Sequence, residues 1–184
     1  MADGTNRQIF TIPNLLSVFR ILLIPLIVWL YCGRRDYPLA AWALVLSGVT
    51  DVADGFIARR FHMVSDLGKI LDPVADKLTQ AAALGCLLTR FPAVGLPLGV
   101  MVVKEAVMAV MGLLVIRRTG AVYSAAWHGK LATCVLYAVI FLHVIWYDIP
   151  QMMSLLLALA GAGGIVLSLT LYSVQNLRRL RETR

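Results

Sequence analysis

Met152–Val174, MMSLLLALAGAGGIVLSLTLYSV, runs for 23 residues without a charge. An α-helix rises about 1.5 Å per residue, so a run of this length crosses the roughly 30 Å hydrocarbon core of a bilayer. A soluble core helix of that length would carry a charged face toward water, and this stretch has none. Similar runs recur upstream, and the apolar pattern predicts five further spans: Leu15–Cys32, Leu39–Ala58, Ile70–Leu88, Ala93–Ile116 and Lys130–Tyr147. Composition agrees: of 184 residues, 60% are apolar and 15% charged, outside the range of ordinary soluble domains. The expectation is an all-α integral membrane protein of six transmembrane helices, with residues 1–184 forming a single domain.

The predicted connections are short and punctuated by Gly33, Pro38, Pro92, Gly120 and Pro150, while Trp29, Tyr31, Trp127, Trp146 and Tyr147 fall near span ends, as interfacial aromatics do. With a cytoplasmic N-terminus, Arg7, Arg59, Arg60, Lys69, Lys77, Arg117, Arg118, Lys130, Arg178, Arg179, Arg181 and Arg184 lie inside or at the inner boundary. Only Arg34, Arg35 and Arg90 then lie outside. The positive-inside rule therefore predicts both termini in the cytoplasm. This asymmetry, with anionic lipid as a partner, accounts for the net charge of +7 without nucleic acid. Cys32, Cys86 and Cys134 share no ligand spacing and read as packing residues. The first ten residues lack the pattern of a cleaved signal, so the first span is expected to persist.

One segment breaks the apolar pattern: Asp51-Val-Ala-Asp54-Gly55-Phe-Ile-Ala58-Arg59, followed by Gly68-Lys-Ile-Leu-Asp72-Pro-Val-Ala-Asp76. Carboxylates at a membrane boundary are costly and need compensation or a function. Asp51 and Asp54 are three apart and Asp72 and Asp76 four apart, so each pair shares a helix face. A hairpin of the second and third spans would turn the pairs toward each other, and the repulsion would call for cations between them. Oxygen ligands without Cys or His select a hard ion, Mg²⁺ or Mn²⁺ before Zn²⁺. Gly55, Ala58 and Gly68 each stand one turn from a carboxylate and leave room for a ligand, and Arg59 returns to the same face, where it could meet a phosphate. Two metal ions, small residues and an arginine together describe transfer of a phosphate-linked group. Asp66, Arg60 and His62 read instead as solvated loop charges.

The run from Asp51 to Asp76 resembles the signature of the CDP-alcohol phosphotransferase family, D-x2-D-G-x2-A-R-x8-G-x3-D-x3-D, at every fixed position. The resemblance implies two divalent ions held by Asp51, Asp54, Asp72 and Asp76 on the pyrophosphate of CDP-diacylglycerol. It also implies a nucleotide site lined by Gly55, Ala58, Arg59 and Gly68. Asp76 would be the general base on the acceptor hydroxyl as well as a metal neighbour.

The opening Thr11-Ile12-Pro13-Asn14-Leu15-Leu16-Ser17-Val18-Phe19-Arg20 resembles the start of bacterial phosphatidylglycerophosphate synthases and the related cardiolipin synthases. Asn14, Ser17 and Arg20 can share one face. Asn14 is assigned to the CDP-lipid site, with a plain helix cap as its alternative, and Arg20 to the acceptor. Lys104, beside Glu105, and Lys130, after His128-Gly129, match basic positions of those synthases. With Arg117 and Arg118 they are expected to receive a second phosphate. Adjacent residues diverge by about 100° on a helix, so Lys104 and Glu105 are not expected to face each other. The implied acceptor is a phosphorylated alcohol, glycerol 3-phosphate, and the implied setting is a bacterial cytoplasmic membrane with the site at its inner face; a homodimer is left open. One rival keeps the chemistry and uses phosphatidylglycerol, as a cardiolipin synthase. The other, a cation transporter, calls for acids spread through several spans, whereas these cluster. His143 reads as an interfacial or packing histidine, and the glycines Gly161, Gly163 and Gly164 as permitting close helix contact.

Overall fold

Thr11, itself in an extended conformation, precedes the first helix, its hydroxyl accepting the backbone N–H of Asn14 at 3.4 Å. Thr11, and not Asn14, is therefore the cap. Pro13 follows within the first turn, where no N–H partner is missed. The computed structural model describes residues 11–61, 68–119, 127–146 and 148–182, without the side chains of 58, 59, 69, 70, 116, 118, 119, 127, 128 and 178–182. Helix α1 spans Ile12–Val28 and passes into a π-helical segment, Trp29–Arg34, four residues beyond the internal Pro25. Arg35, at φ 56°, ends it in the left-handed region. Asp36 then caps α2, Tyr37–Arg60, by accepting the Leu39 N–H at 3.1 Å. The remaining helices are α3, Gly68–Leu88; α4, Gly95–Thr119, preceded by a 3₁₀ turn at Pro92–Val94; α5, Trp127–Ile145; and α6, Gln151–Glu182.

The described residues contain no strand, and each predicted span coincides with a helix. The main departure is α6, which continues past Val174 to Glu182. Its final Leu and Arg residues are good helix formers and need no lipid to stay helical. Four helical stretches are long and apolar enough to cross a membrane: Ile12–Arg34, Tyr37–Ile57, Pro92–Val115 and Gln151–Leu177. Helix α5 is apolar over the shorter stretch Gly129–Ile145. Helix α3 opens with Asp72, Asp76 and Lys77, which lower its apolarity. Large apolar side chains such as Leu22, Trp42, Val52 and Met152 are exposed, whereas Ser17, Arg20, Asp54, Gln80 and His143 are buried. Polar groups inside and an apolar exterior suit lipid as solvent.

Two units are distinguished, Met1–Cys86 and Leu87–Arg184. In the first, α1 packs along α2. In the second, α6 packs against both α4 and α5. Gly161 permits that approach, since a Cβ there would meet Val139 Cγ2 at 3.4 Å and Pro97 Cβ at 3.7 Å. His143 is fully buried between α5 and α6. Its Nδ1 lies 2.8 Å from the Val139 carbonyl, which can only accept, so Nδ1 carries a proton and donates. Nε2 faces the buried Ser154 hydroxyl at 2.9 Å, and Phe91 packs edge-on against the ring. His143→Phe would leave that hydroxyl buried without its partner. The expected cost is about 1–3 kcal/mol, read as a lower Tm of the detergent-solubilised protein; an unchanged Tm would show the pair to be dispensable.

Candidate active site in the first unit

Ser17 and Arg20 are one turn apart on α1, and together with Asn14 they form the buried face of that helix. Arg20 is 1% exposed. One of its terminal nitrogens, Nη1, pairs with Asp51 and the other, Nη2, with Asp54, so a single guanidinium bridges both acids of α2. A buried guanidinium stays charged at any ordinary pH and needs such counter-ions. The Ser17 hydroxyl faces Asp72 of α3, with Asp54 at 3.5 Å and the Pro13 carbonyl at 3.0 Å. Its one proton can serve a single acceptor at a time, which places the hydroxyl as a hinge between the two acid pairs. Acids of both α2 and α3 are thus contacted by α1, a participant that the hairpin reading did not include.

Asp76 lies one turn beyond Asp72 and is half-buried. The Gln80 amide donates to both of its oxygens, at 3.1 and 3.2 Å. Gln80 itself is fully buried, and its Oε1 has no hydrogen-bond partner among the described residues. This clamp fixes the plane of the Asp76 carboxylate. It was missed at the sequence level, although Gln80 stands four residues after Asp76 on the same helix face.

The chemistry and charge of the four acids bear on a divalent ion. All four acids offer oxygen only. Asp51 lies within electrostatic range of Asp72 and Asp76, and Asp54 within range of Asp51 and Asp72. Arg20 brings one positive charge to four carboxylates, so negative charge remains to attract hard cations. Among the described residues no three of these carboxylates converge as ligands on one point, and Arg20 and Ser17 contact Asp51, Asp54 and Asp72. The donor atoms are of the kind that hard divalent ions take, while the acids are not placed as a ligand cluster among the described residues.

The other expected site residues divide by position. Gly68 is buried and Gly55 half-buried. The side chains of Ala58, Arg59 and Arg118 lie outside the described residues, as do His62 and Asp66. In the second unit, Lys104 is buried, and its ammonium pairs with Glu105 at 3.0 Å. That corrects the expectation that the two do not meet: the long, flexible lysine stem bends across the angle between adjacent positions. Arg117 and Lys130 are exposed on α4 and α5.

Residues 10–169 match the family model for CDP-alcohol phosphatidyltransferases. The chain belongs to the CDP-alcohol phosphatidyltransferase family. It is 39% identical over 121 residues to the cardiolipin synthase (CMP-forming) of Streptomyces coelicolor, covering 61% of this chain and 54% of that protein. It is 34% identical over 139 residues to the CDP-diacylglycerol–glycerol-3-phosphate 3-phosphatidyltransferase of Bacillus subtilis, covering 67% of this chain and 71% of that protein. It is also 45% identical over 86 residues to a cardiolipin synthase (CMP-forming)/mitochondrial hydrolase fusion protein of Schizosaccharomyces pombe, covering 46% of this chain and 14% of that protein. The chain thus spans about half or less of the Streptomyces and Schizosaccharomyces relatives. In this member of the family, the buried α1 face and three of the signature carboxylates, Asp51, Asp54 and Asp72, form one connected polar cluster.

Proposed function

We propose that the protein transfers a phosphatidyl group from CDP-diacylglycerol to an alcohol and releases CMP, with glycerol 3-phosphate as acceptor and phosphatidylglycerol phosphate as product. The observation that carries this reading is the gathering of three signature acids, Asp51, Asp54 and Asp72, around Arg20 and Ser17, in a chain whose relatives carry phosphatidyltransferase names. The acceptor's hydroxyl oxygen bonds to the lipid-bearing β-phosphorus, the bond from that phosphorus to the CMP oxygen breaks, and the hydroxyl proton passes to Asp76. Gln80 holds Asp76 in the plane needed to receive it. Asp51, Asp54 and Asp72, with Asp76 beside them, would hold two Mg²⁺ or Mn²⁺ ions, which when bound neutralise the pyrophosphate and the departing CMP. Gly55, Ala58, Gly68 and Asn14 make room for the nucleotide, and Arg59 receives phosphate charge.

In this reading residues 1–184 form one catalytic domain with six spans and both termini in the cytoplasm, placing the acids at the inner face of a bacterial cytoplasmic membrane. The greater number of basic residues on that side supports the orientation. A second reading, transfer to phosphatidylglycerol to give cardiolipin, is favoured by the relatives bearing that name.

The test is CMP release and product separation with purified protein, CDP-diacylglycerol and a panel of acceptors. Product from glycerol 3-phosphate supports the first reading, cardiolipin from phosphatidylglycerol the second, and no CMP release with any acceptor sinks both. Lys130→Ala is expected to raise the KM for glycerol 3-phosphate while sparing that for CDP-diacylglycerol, because a charged hydrogen bond to the acceptor's phosphate contributes about 1.5–3 kcal/mol. That corresponds to roughly tenfold to a hundredfold in affinity. Lys104→Ala should act likewise if it shares that phosphate, and it also strands Glu105. A Lys130 variant that keeps the full preference for glycerol 3-phosphate over glycerol would remove Lys130 from the acceptor site.

A further inference from the structure

Cys32 and Cys86 stand 54 positions apart in the chain, and both belong to the first unit. The fold brings their side chains together, and the two thiols share a hydrogen bond. Cys32 sits in the π-helical continuation of α1, exposed, two residues before the exposed Arg34. Cys86 is 4% exposed and lies near the end of α3. A second contact between the same two elements agrees with this pairing. Ser17 of α1 meets Asp72 of α3, and Cys32 follows Ser17 by 15 positions while Cys86 follows Asp72 by 14. Either stretch of helix advances roughly 20 Å. The first helix and α3 therefore run parallel, with the Ser17–Asp72 contact toward one end and the two sulfurs toward the other.

We infer that Cys32 and Cys86 are a site of reversible covalent modification, a disulfide that ties the far end of the first helix to the far end of α3. The oxidant is another disulfide, either a small molecule or one carried by a protein. The exposed Cys32 thiolate attacks one of its sulfurs, the other leaves as a thiolate, and a mixed disulfide stands on Cys32. Cys86 Sγ then attacks Cys32 Sγ, and the second thiolate of the oxidant leaves and takes up the Cys86 proton. Two thiols of the chain are oxidised, one disulfide is reduced to two thiols, and no other reactant is needed. Burial keeps Cys86 from meeting the oxidant directly, so the exposed partner reacts first. The cross-link restricts the unfolded chain and so favours the folded one. It also holds the two helices together at the end remote from Ser17 and Asp72.

Full-length protein in detergent, reduced and then freed of reductant, is exposed to oxidised glutathione. Remaining thiols are alkylated, the chain is digested without reduction, and the peptides are read by mass spectrometry. The expected product joins the Cys32 peptide to the Cys86 peptide in most molecules, leaves Cys134 out of the bridge, and is reversed by dithiothreitol. The bridged protein should melt several degrees above the reduced protein. Cys86→Ser should show no such rise on oxidation, and Cys32→Ser, at an exposed position, gives the same comparison if the buried variant does not fold. Glutathione stalled on Cys32 with Cys86 alkylated would overturn the inference. So would alkylation of both thiols, or bridges found only between chains. A Cys32–Cys86 bridge that forms without raising Tm would overturn its role as a brace.

Discussion

Asp76→Asn is expected to lower phosphatidyl transfer by about a hundredfold to ten-thousandfold, the contribution typical of a positioned general base. An asparagine amide cannot accept the proton of the attacking hydroxyl, yet it has the size and shape of the aspartate it replaces. Gln80 makes the substitution structurally mild. Its amide now donates to Asp76, and its Oε1 has no partner among the described residues, so rotation of the amide can offer that oxygen to an asparagine N–H. Binding of CDP-diacylglycerol should therefore remain close to that of wild type. Asp51→Ala is expected to behave differently. It removes one of the two acids that Arg20 bridges, leaves a buried cation half-compensated, and takes a carboxylate from the expected ion site. Nucleotide affinity and activity should both be lost. Equilibrium binding of labelled CDP-diacylglycerol separates the two cases, and equally poor binding by both variants would make Asp76 a ligand and withdraw the base assignment.

Exhaustive chelation is expected to abolish activity, and Mg²⁺ or Mn²⁺ to restore it. Asp51 lies within electrostatic reach of Asp72 and Asp76, and Asp54 of Asp51 and Asp72; these acids offer oxygen ligands alone, which suit a hard divalent ion, and the reaction carries a pyrophosphate whose charge must be neutralised as CMP departs. Arg20 adds a second expectation: because it already bridges Asp51 and Asp54, the chelated protein should stay folded, with an unchanged helical circular dichroism spectrum. Undiminished turnover in excess chelator after metal removal would sink the metal-dependent mechanism. Loss of activity together with loss of helix would show instead that the ions hold the fold.

The amino-acid sequence alone determined the solvent of this protein and the helices that meet it, because a run such as Met152–Val174 has a length and an absence of charge that only a few environments tolerate. It also determined the spacing of the acids, since residues three or four apart on a helix must share a face whatever surrounds them. By the same rule Asn14, Ser17 and Arg20 were legible as one face of α1. What that face meets was not legible. Arg20 and Asp54 are 34 positions apart and Ser17 and Asp72 are 55 apart, and no periodicity within a helix reports on a contact between helices. The sequence alone points Arg20 toward the acceptor, and the tertiary structure adds its pairing with Asp51 and Asp54. Lys104 and Glu105 show the opposite case: backbone geometry separates adjacent positions, but a four-carbon stem can bend back, and burial of the ammonium favours its doing so. The sequence determined which residues carry the charge, and only the packing of α1 against α2 decided that a cation of the protein's own rests among the carboxylates, because compensation of a buried charge depends on what the fold brings within reach.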